Sequence, residues 1–394
     1  MYIKLALAIF ICFLTLVSNA QIDDINQVLK SIEQNNLELK VLNEQIESKK
    51  VELSTSNNLN NPELIGYYMP FGEHSTGNYS EIQISQTFEF PTVYKSRNIL
   101  IEEQGVQLKM SYELKKQEIL LGAKLEIIGL IALKKRLIEE QEEVKQAEIV
   151  FEHTQILFDR EQIGVLDLNK AKLNWVQIQF LTEQTENNIR EKQNKIRNLN
   201  GGTEITIAQT NYFENLEIQS LDSLWKDKVE NSPLLKLLVQ KEKVAEKQLL
   251  LAKQNRYPDL QLGYNYQGVL NENYSGVYAG ISIPIWSNKN KIKSADLNLN
   301  YSKSYSDFQI QMLKSDFEIQ YNNYVSLQKR YVAYSSTFTE LNSVALLTQG
   351  YKSGELSFSE YYMETSFYYE AYSSLLNMEK ELHQLKAELL KHQL

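Results

Sequence analysis

The residue types that most often carry catalysis or bind metals are few and scattered in this sequence. The four histidines, His74, His153, His383 and His392, lie far apart, and none stands in a His-Glu-x-x-His or Cys/His pattern. The only cysteine is Cys12, so the chain offers neither an internal disulfide nor a multi-cysteine metal site. The sequence therefore predicts no enzyme activity, no metal centre and no cofactor.

Phosphate and nucleic-acid binding are also poorly supported. Gly201-Gly202 follows a predicted helix, where a C-terminal cap explains it, whereas a phosphate-binding loop would follow a strand. The net charge of −9 and the lack of a block rich in Lys and Arg argue against a nucleic-acid partner. The abundant Glu and Asp residues are typical of the solvated faces of long helices.

Residues 1–20 have the pattern of a secretory signal peptide. Lys4 precedes an apolar run from Leu5 to Val17, and Ser18-Asn19-Ala20 offers a small-residue cleavage site before Gln21. The run is short for a permanent membrane helix, and no later run has 18 consecutive apolar residues. We expect an exported mature chain without cysteine, which can enter a membrane only through β-strands.

Alternation of apolar and polar residues predicts β-strands at about 81–90, 258–268 and 276–286. A further strand is predicted at about 62–71, where alternation is poor because Leu64-Ile65 and Tyr67-Tyr68-Met69 are adjacent. Their turns are predicted at 72–77 and 271–276. Each strand has about the length that a tilted membrane strand needs, and one face is apolar. From the strands alone, a soluble hairpin with one wet face is the alternative. The side chains predicted to face lipid are Leu260, Leu262, Tyr264, Tyr266, Ile281 and Ile283.

Long amphipathic helices are predicted for most of the remaining sequence. The chain has only 15 Gly and 6 Pro, and neither type occurs between Ile285 and Gln349. Helices of such length are rare in compact domains unless they pack side by side along their length. Helix–helix turns are predicted at 158–168 and 351–361.

The sequence also contains an internal duplication. Asn35–Lys40 aligns with Asn231–Lys236, and 158–165 aligns with 351–358 at nearly the same offset. The pattern helix–strand–strand–long helix–turn–helix therefore occurs twice, in a first repeat at 21–210 and a second at 211–394. Four strands cannot close a barrel, and an open sheet edge in lipid leaves backbone groups without partners. Three chains would supply twelve strands, within the known range of membrane barrels.

From about Ile22 to Leu394 the sequence resembles the outer membrane efflux protein family (TolC-like). The resemblance lies in the duplicated plan and in three motifs, which are Tyr257-Pro258-Asp259-Leu260, Ile283-Pro284-Ile285-Trp286 and Tyr351-x-x-Gly354-x-x-Ser357. The segment from Phe88 to Lys95 resembles the heavy-metal (CusC-like) branch. The resemblance implies a mainly α protein with a membrane β-barrel, in which a homotrimer forms a twelve-stranded barrel that a periplasmic α-helical barrel continues.

The same resemblance implies a passive outer-membrane export duct of a tripartite efflux system. Such a duct docks a periplasmic adaptor (membrane fusion protein) and an inner-membrane pump, and it expels small molecules or metal ions. Two other classes fit parts of the sequence. One is a secreted or periplasmic coiled-coil scaffold or adhesin, and the other is a periplasmic enzyme with helical appendages. Dependence on detergent would distinguish the duct from both.

The resemblance further implies that the two helix–helix turns are periplasmic tips that gate the duct. Tyr351 and Gly354 match the tip tyrosine and glycine of the family, and Asp167 and Glu360 match acidic positions near the tip. Threefold symmetry would convert each acid into a carboxylate ring that favours cations, although ordinary solvated turn acids fit equally well. Gly164 interrupts the helix in the first copy. Leu356 stands where the family has an arginine, so a salt-bridge latch is not expected.

Overall fold

The structure is a computed structural model that describes residues 25–70, 78–269, 272–339 and 343–394. The predicted signal peptide and the turn predicted at 72–77 lie outside these residues. Within the described ranges the helices are α1 (Ile25–Asn35), α2 (Leu37–Thr55), α3 (Pro91–Asp159), α4 (Val165–Leu199), α5 (Leu221–Asn231), α6 (Pro233–Gln254), α7 (Lys291–Thr339), α8 (Ser343–Ser353) and α9 (Phe358–Leu389). The strands are β1 (Glu63–Pro70), β2 (Asn78–Phe88), β3 (Asp259–Val269) and β4 (Glu272–Ser282).

Equivalent breaks divide the first helices of the two predicted repeats. Asn36 separates α1 from α2, and its side-chain oxygen accepts a hydrogen bond from the Leu39 backbone N–H at 3.0 Å, which caps α2. Ser232 separates α5 from α6, and Pro233 is the first residue of α6, where its missing N–H costs no helical hydrogen bond. The two breaks fall at aligned positions, which agrees with an internal duplication.

The chain divides into two compact units, and each takes segments from both predicted repeats. One unit, here the helical unit, contains residues 25–40, 115–231 and 315–394, whereas the other, the sheet unit, contains residues 41–114 and 232–314. The boundary predicted between residues 210 and 211 does not separate these units. The two-repeat division therefore stays a prediction about the sequence.

In the sheet unit, the four described strands form one antiparallel sheet in the order β1-β2-β3-β4. Ile84 of β2 lies opposite Leu64 of β1 and Tyr264 of β3, and Leu260 of β3 lies opposite Ile281 of β4. Partners across an antiparallel ladder share a face. This register therefore brings most of the apolar residues of the four strands onto the same side, whereas Ile65, Met69 and Val269 lie on the other.

Two predictions about β4 are wrong. The segment 272–276 was predicted as turn, but Asn273 pairs with Gly268 and Ser275 pairs with Tyr266, so the strand begins at Glu272. Because this segment is polar, its sequence is typical of a turn and does not indicate that it pairs with β3. The strand also ends at Ser282, so Ile283 lies just beyond it. Pro284 has no N–H to donate to a ladder, which explains the early end.

In the helical unit, a hydrophobic cluster surrounds two aromatic side chains of α7. Phe317 and Tyr324 are almost fully buried, together with Leu224, Leu382 and Leu389 from the helices around them. The Tyr324 hydroxyl donates to the carbonyl oxygen of Leu216 at 2.6 Å. This bond holds the irregular segment between α4 and α5 against the helices.

The same unit contains buried polar contacts that account for two of the histidines. The His383 ring stacks on Tyr212 with centroids 3.9 Å apart, and burial lowers the pKa of His383 to about 4. His392 lies 2.9 Å from the Asp227 carboxylate. Both histidines therefore take part in the packing and hydrogen bonding of this unit.

Among the glycines that the structure describes, Gly201 is expected to be the least tolerant of substitution. Its φ is +65°, and a Cβ there would lie 2.3 Å from the backbone oxygen of Asn35, a contact that requires the backbone to move. We expect Gly201→Ala to reduce stability by about 3 kcal/mol, because a left-handed conformation and a clash are combined. Gly202 is a matched control, since its φ is +87° but nothing lies within 4 Å of a Cβ.

Gly202→Ala should therefore cost only about 1–2 kcal/mol. Thermal unfolding of both variants, followed by circular dichroism, tests the difference. Equal melting temperatures would show that the Asn35 contact is not a constraint.

Candidate functional site

One face of the sheet is apolar along its length and exposed. Val277 has 87 % of its surface exposed, and Leu64 has 73 %. Within the four described strands this face carries no charged residue. Exposed apolar surface of this size marks contact with another protein or with lipid. The large exposed apolar side chains on this face are Leu64, Tyr68, Ile82, Ile84, Leu260, Leu262, Tyr264, Tyr266, Val277 and Ile281.

The opposite face is polar and is organised around Glu81. The Glu81 carboxylate accepts hydrogen bonds from the side-chain amides of Asn265 at 2.7 Å and Gln267 at 3.2 Å, and also from the Tyr79 hydroxyl. Gln83 donates to the Tyr278 hydroxyl across two strands. These bonds cross from β2 to β3 and β4, so side-chain hydrogen bonds link three strands on the polar face.

All charged residues in the described strands are acidic and lie on this polar face; they are Glu63, Glu81, Asp259 and Glu272. Glu81 was not among the functional residues predicted from the sequence. The sequence does contain a signal for it, because Glu81 is the only charged residue in β2 and lies on the opposite face from Ile82 and Ile84. The restriction of every charged strand residue to one face indicates an apolar medium on one side and water on the other.

The sheet has two open edges. Each of β1 and β4 pairs with only one neighbour among the described strands. Unpaired backbone groups at an edge are templates for another strand, and in lipid they are costly. The sheet of one chain is therefore incomplete in a membrane.

Among the described residues, no helix combines the length and the apolar composition needed to cross a membrane. The same residues contain no group of three or more His, Cys, Asp or Glu side chains placed to hold a metal ion.

The two predicted tip turns have the same backbone geometry. Gly354 has a φ of +79°, and its N–H donates to Tyr351 O at 3.1 Å, while the next N–H, of Glu355, donates to Gly350 O at 2.9 Å. In the first copy the equivalent residue is Glu161, with a φ of +57° and the equivalent bonds. This is the common left-handed end of a helix. Glycine adopts this left-handed conformation without a steric penalty, which explains Gly354. Glu161 adopts the same conformation although it has a side chain.

The helices that leave these turns begin differently. Ser357 and Glu360 form a capping box, in which Glu360 Oε2 accepts from the Ser357 N–H at 2.8 Å and from its hydroxyl at 2.7 Å. These bonds lower the pKa of Glu360. In the first copy the cap is Gly164, with an extended φ of −83° and no side chain to accept. Asp167 lies 3.4 Å from the Lys170 ammonium group.

Tyr351 lies in a buried cluster that joins both turns. Its hydroxyl is 2.6 Å from the Thr154 hydroxyl, and only 5 % of its surface is exposed. Burial, and to a lesser extent the charge of Asp167, raises the pKa of Tyr351. We call these residues the tip cluster. Its buried members come from α3, α4, α8 and α9, and are Val150, Ala171, Tyr351, Phe358 and Tyr361.

The structure therefore brings the predicted tip residues together only in part. Tyr351 is a core residue, Gly354 and Gly164 shape the backbone, and Glu360 caps a helix. Leu356 is half-buried, and its N–H bonds Gly350 O at 3.2 Å. Thr154 and Val150 were not predicted as tip residues, because they lie in the last turns of the long helix α3 and have no distinctive sequence pattern.

Glu143 on α3 is a half-buried acid that interacts with the tip cluster. Burial, and then the nearby charge of Glu140, raises the pKa of Glu143 to about 7. The charge of ionised Glu143 acts on two tyrosines of α9, Tyr361 and Tyr369, and contributes to raising the pKa of each. Folding therefore favours the protonated acid, so its contribution to stability is complete below the ordinary Glu pKa and is lost as the pH rises through about 7.

We expect Glu143→Gln to raise the melting temperature at pH 8 by several degrees and to change it little at pH 5. The measurement is the difference in melting temperature between the variant and wild type at each pH. This comparison is needed because the low pKa of His383 makes stability fall as the pH falls, in both proteins. Glu148→Gln, on the exposed side of the same helix, is the control and should change neither value. An equal shift at both pH values would contradict the burial of an uncharged Glu143.

Comparisons with known proteins support the fold at low sequence identity. Neither a protein-family model nor a curated protein matches the chain. The solved outer-membrane channel OprN is 11 % identical with a TM-score of 0.76, and the match covers 94 % of this chain and 90 % of OprN. CusC, described with transmembrane channel formation, is 12 % identical with a TM-score of 0.77, covering 96 % of this chain and 95 % of CusC.

The CmeC outer membrane channel of Campylobacter jejuni is 13 % identical with a TM-score of 0.71, and the match covers 94 % of this chain and 85 % of CmeC. The scores for CusC and OprN are nearly equal, so the fold does not single out the CusC-like branch. The chain has the fold of the TolC-like outer-membrane efflux channels, and the resemblance predicted from the sequence is confirmed at the level of the fold.

Proposed function

We propose that the protein is a passive export duct of the outer membrane, built as a homotrimer. The observation that carries this proposal is the sheet with one uncharged, exposed apolar face and two open edges. In this proposal the apolar face contacts lipid, where the open sheet edges must be paired. The channel fold shared with OprN, CusC and CmeC supports the same function.

Closure of the barrel is proposed to occur between copies. The free edge of β4 in one copy pairs with the free edge of β1 in the next, and three copies give a barrel of twelve strands. The polar face with Glu81 then faces a water-filled lumen, and the apolar face contacts acyl chains. The long helices continue the duct into the periplasm as a helical barrel.

The duct makes and breaks no covalent bond. An inner-membrane pump supplies the energy, and a periplasmic adaptor joins pump and duct. The cargo is a small molecule or a metal ion, since a wide aqueous duct imposes little chemical selection of its own. The likeness in fold to efflux channels supports these partners.

The tip turns are proposed to be the periplasmic gate. In this proposal Gly164 and Gly354 allow the chain to reverse, and Tyr351 fixes α8 against α3. Leu356, in place of an arginine, leaves the gate without a salt-bridge latch. The tip cluster supports this assignment, because its buried contacts hold the helices of both turns together.

Asp167 and Glu360 are proposed to form carboxylate rings at the gate. The double variant Asp167→Asn and Glu360→Gln is expected to lower the cation-to-anion permeability ratio, measured as the reversal potential in a salt gradient. Gln also completes a capping box, so the Glu360 substitution preserves the turn. A double variant of exposed acids elsewhere, Asp222→Asn and Glu246→Gln, is the control, and equal ratios in both double variants would argue against the rings.

Reconstitution of the full-length protein tests the duct itself. We expect the protein to float with phospholipid vesicles and to produce discrete conductance steps in planar bilayers. A protein that remains in the aqueous fraction and never increases conductance would contradict the proposal, and it would favour the scaffold or adhesin.

A further inference from the structure

The end of the sheet at which β3 begins and β4 ends carries a basic surface, which we call the basic rim. It consists of Lys253, Arg256, Lys289, Lys291 and Lys293. All five side chains are exposed, and none forms an ion pair with another residue in the described part of the chain. Unpaired cations in this number are available to an anionic partner.

An exposed apolar segment connects the basic rim to the apolar face of the sheet. Ile283 and Ile285 follow Ile281 at the spacing of the strand, and about two thirds of the surface of each is exposed. Trp286 comes next and has 81 % of its surface exposed. Tryptophan prefers the boundary between membrane and water. The order along the chain is therefore lipid face, boundary aromatic, and then cations.

Hydrogen bonds hold the two parts of the basic rim together. The Asn288 side chain donates to the backbone oxygen of Asn255, next to Arg256, and so fixes the turn before α7 against the end of α6. Within this turn the Lys289 N–H bonds Trp286 O at 3.2 Å. The cations from the two segments thus form one surface.

The local charges of the basic rim are not balanced by the chain. Lys291 and Lys293 occupy the first turn of α7, which contains no acidic residue. Cations are unfavourable at a helix N-terminus, because the helix dipole is positive there. The acids at this end of the sheet are Glu63, Asp259 and Glu89, and Asp296 follows in α7. Because Glu89 is paired with Arg97, three acids remain for the five cations. An external anion would offset this excess.

A hollow on the apolar face lies at the same end of the sheet. It has a volume of about 630 Å³ and is lined mainly by apolar side chains, among them Leu260, Ile281, Phe88 and Tyr94. A segment of an acyl chain fits such a hollow. Apolar and anionic recognition therefore occur side by side.

We propose that the basic rim binds the phosphate groups of anionic phospholipids in the leaflet next to the helices, with Trp286 at the boundary of headgroups and acyl chains. The inference rests on the proposed membrane position of the sheet and adds a lipid class to it. The rim thereby fixes the depth of the barrel, because the cations stay at the phosphates while the apolar face stays in the acyl region.

The test measures which lipids remain bound. The full-length protein is reconstituted in vesicles of equal parts phosphatidylcholine and phosphatidylglycerol and extracted in mild detergent, and the retained lipids are quantified by mass spectrometry. We expect wild type to retain phosphatidylglycerol over phosphatidylcholine by roughly tenfold. The triple variant Lys289→Gln, Lys291→Gln and Lys293→Gln should retain both lipids nearly equally.

The matched control replaces three exposed lysines of the helical unit with Gln, namely Lys172, Lys329 and Lys352. It makes the same change in charge and should keep the preference of wild type. An unchanged preference in the rim variant, or no preference in wild type, would overturn the basic rim while leaving the duct intact. Wild type that does not float with the vesicles would overturn both the duct and the rim.

A second measurement places Trp286. The chain has three tryptophans, so replacement of Trp175 and Trp225 by Phe leaves Trp286 as the only one. We expect stronger fluorescence quenching by lipids brominated near the headgroup than by lipids brominated near the chain end. Stronger quenching from the chain end, or none from either lipid, would contradict the boundary position.

Discussion

Replacing Val277 with arginine is expected to prevent membrane assembly. Val277 lies in the middle of β4 and is the most exposed large apolar side chain of the sheet, with 87 % of its surface accessible. An arginine facing lipid at mid-membrane costs about 2–4 kcal/mol, and a trimer carries that cost three times. We expect the variant to be lost from the trimer fraction extracted from isolated membranes, as judged by native gel mobility and flotation.

The neighbouring residue provides a matched control. Gly276 lies on the polar face, and nothing within 4 Å would contact an added Cβ. Gly276→Arg therefore adds the same charge one residue away, but toward the lumen, and should assemble. Leu262→Arg, on the apolar face of β3, should fail as Val277→Arg does. Equal assembly of Val277→Arg and Gly276→Arg would show that the faces are assigned wrongly.

Replacing Tyr351 with alanine is expected to open the duct. Tyr351 is the aromatic residue of the tip cluster that bonds Thr154, and its removal leaves a cavity that costs about 3–5 kcal/mol. If the tip turns form the gate, the loss of this contact should release α8 from α3. We expect a several-fold higher basal conductance in planar bilayers at low voltage.

Tyr324→Ala separates gating from general destabilisation. Tyr324 is also a buried tyrosine with a bonded hydroxyl, but it belongs to the cluster around α7, with Leu216 as its partner. It should lower the melting temperature as much as Tyr351→Ala without raising the basal conductance. Tyr351→Phe removes only one hydrogen bond, worth about 1 kcal/mol, and should have a small effect. A conductance increase in both alanine variants would refute a gate at the tip.

Alternation along the strands is strong enough to predict the faces of the sheet from the sequence. Leu260, Leu262, Tyr264 and Tyr266 alternate with polar residues, and a slip of one residue would place all four on the wrong face. The ends of β4 were predicted less well. Polar residues near Asn273 are equally acceptable in a turn and on the ladder, and Pro284 ends the ladder although the apolar spacing continues through Ile285.

The tip turns show what the sequence could and could not predict there. The alignment of 158–165 with 351–358 correctly implies equal turns, since Glu161 and Gly354 share the left-handed conformation. The capping box of Ser357 and Glu360 also follows a known spacing. The contact between Thr154 and Tyr351 joins residues that are 197 positions apart, and no local pattern predicts such a pair.

The most direct test of the account is the mass of the protein with and without detergent. The central claim is that four strands per chain become a closed wall only when copies join. After correction for bound detergent, we expect the membrane-extracted protein to have the mass of three chains, where the full chain has a mass of 45.8 kDa. We also expect the protein to aggregate when the detergent is removed. A monodisperse single chain in detergent-free buffer would contradict the account.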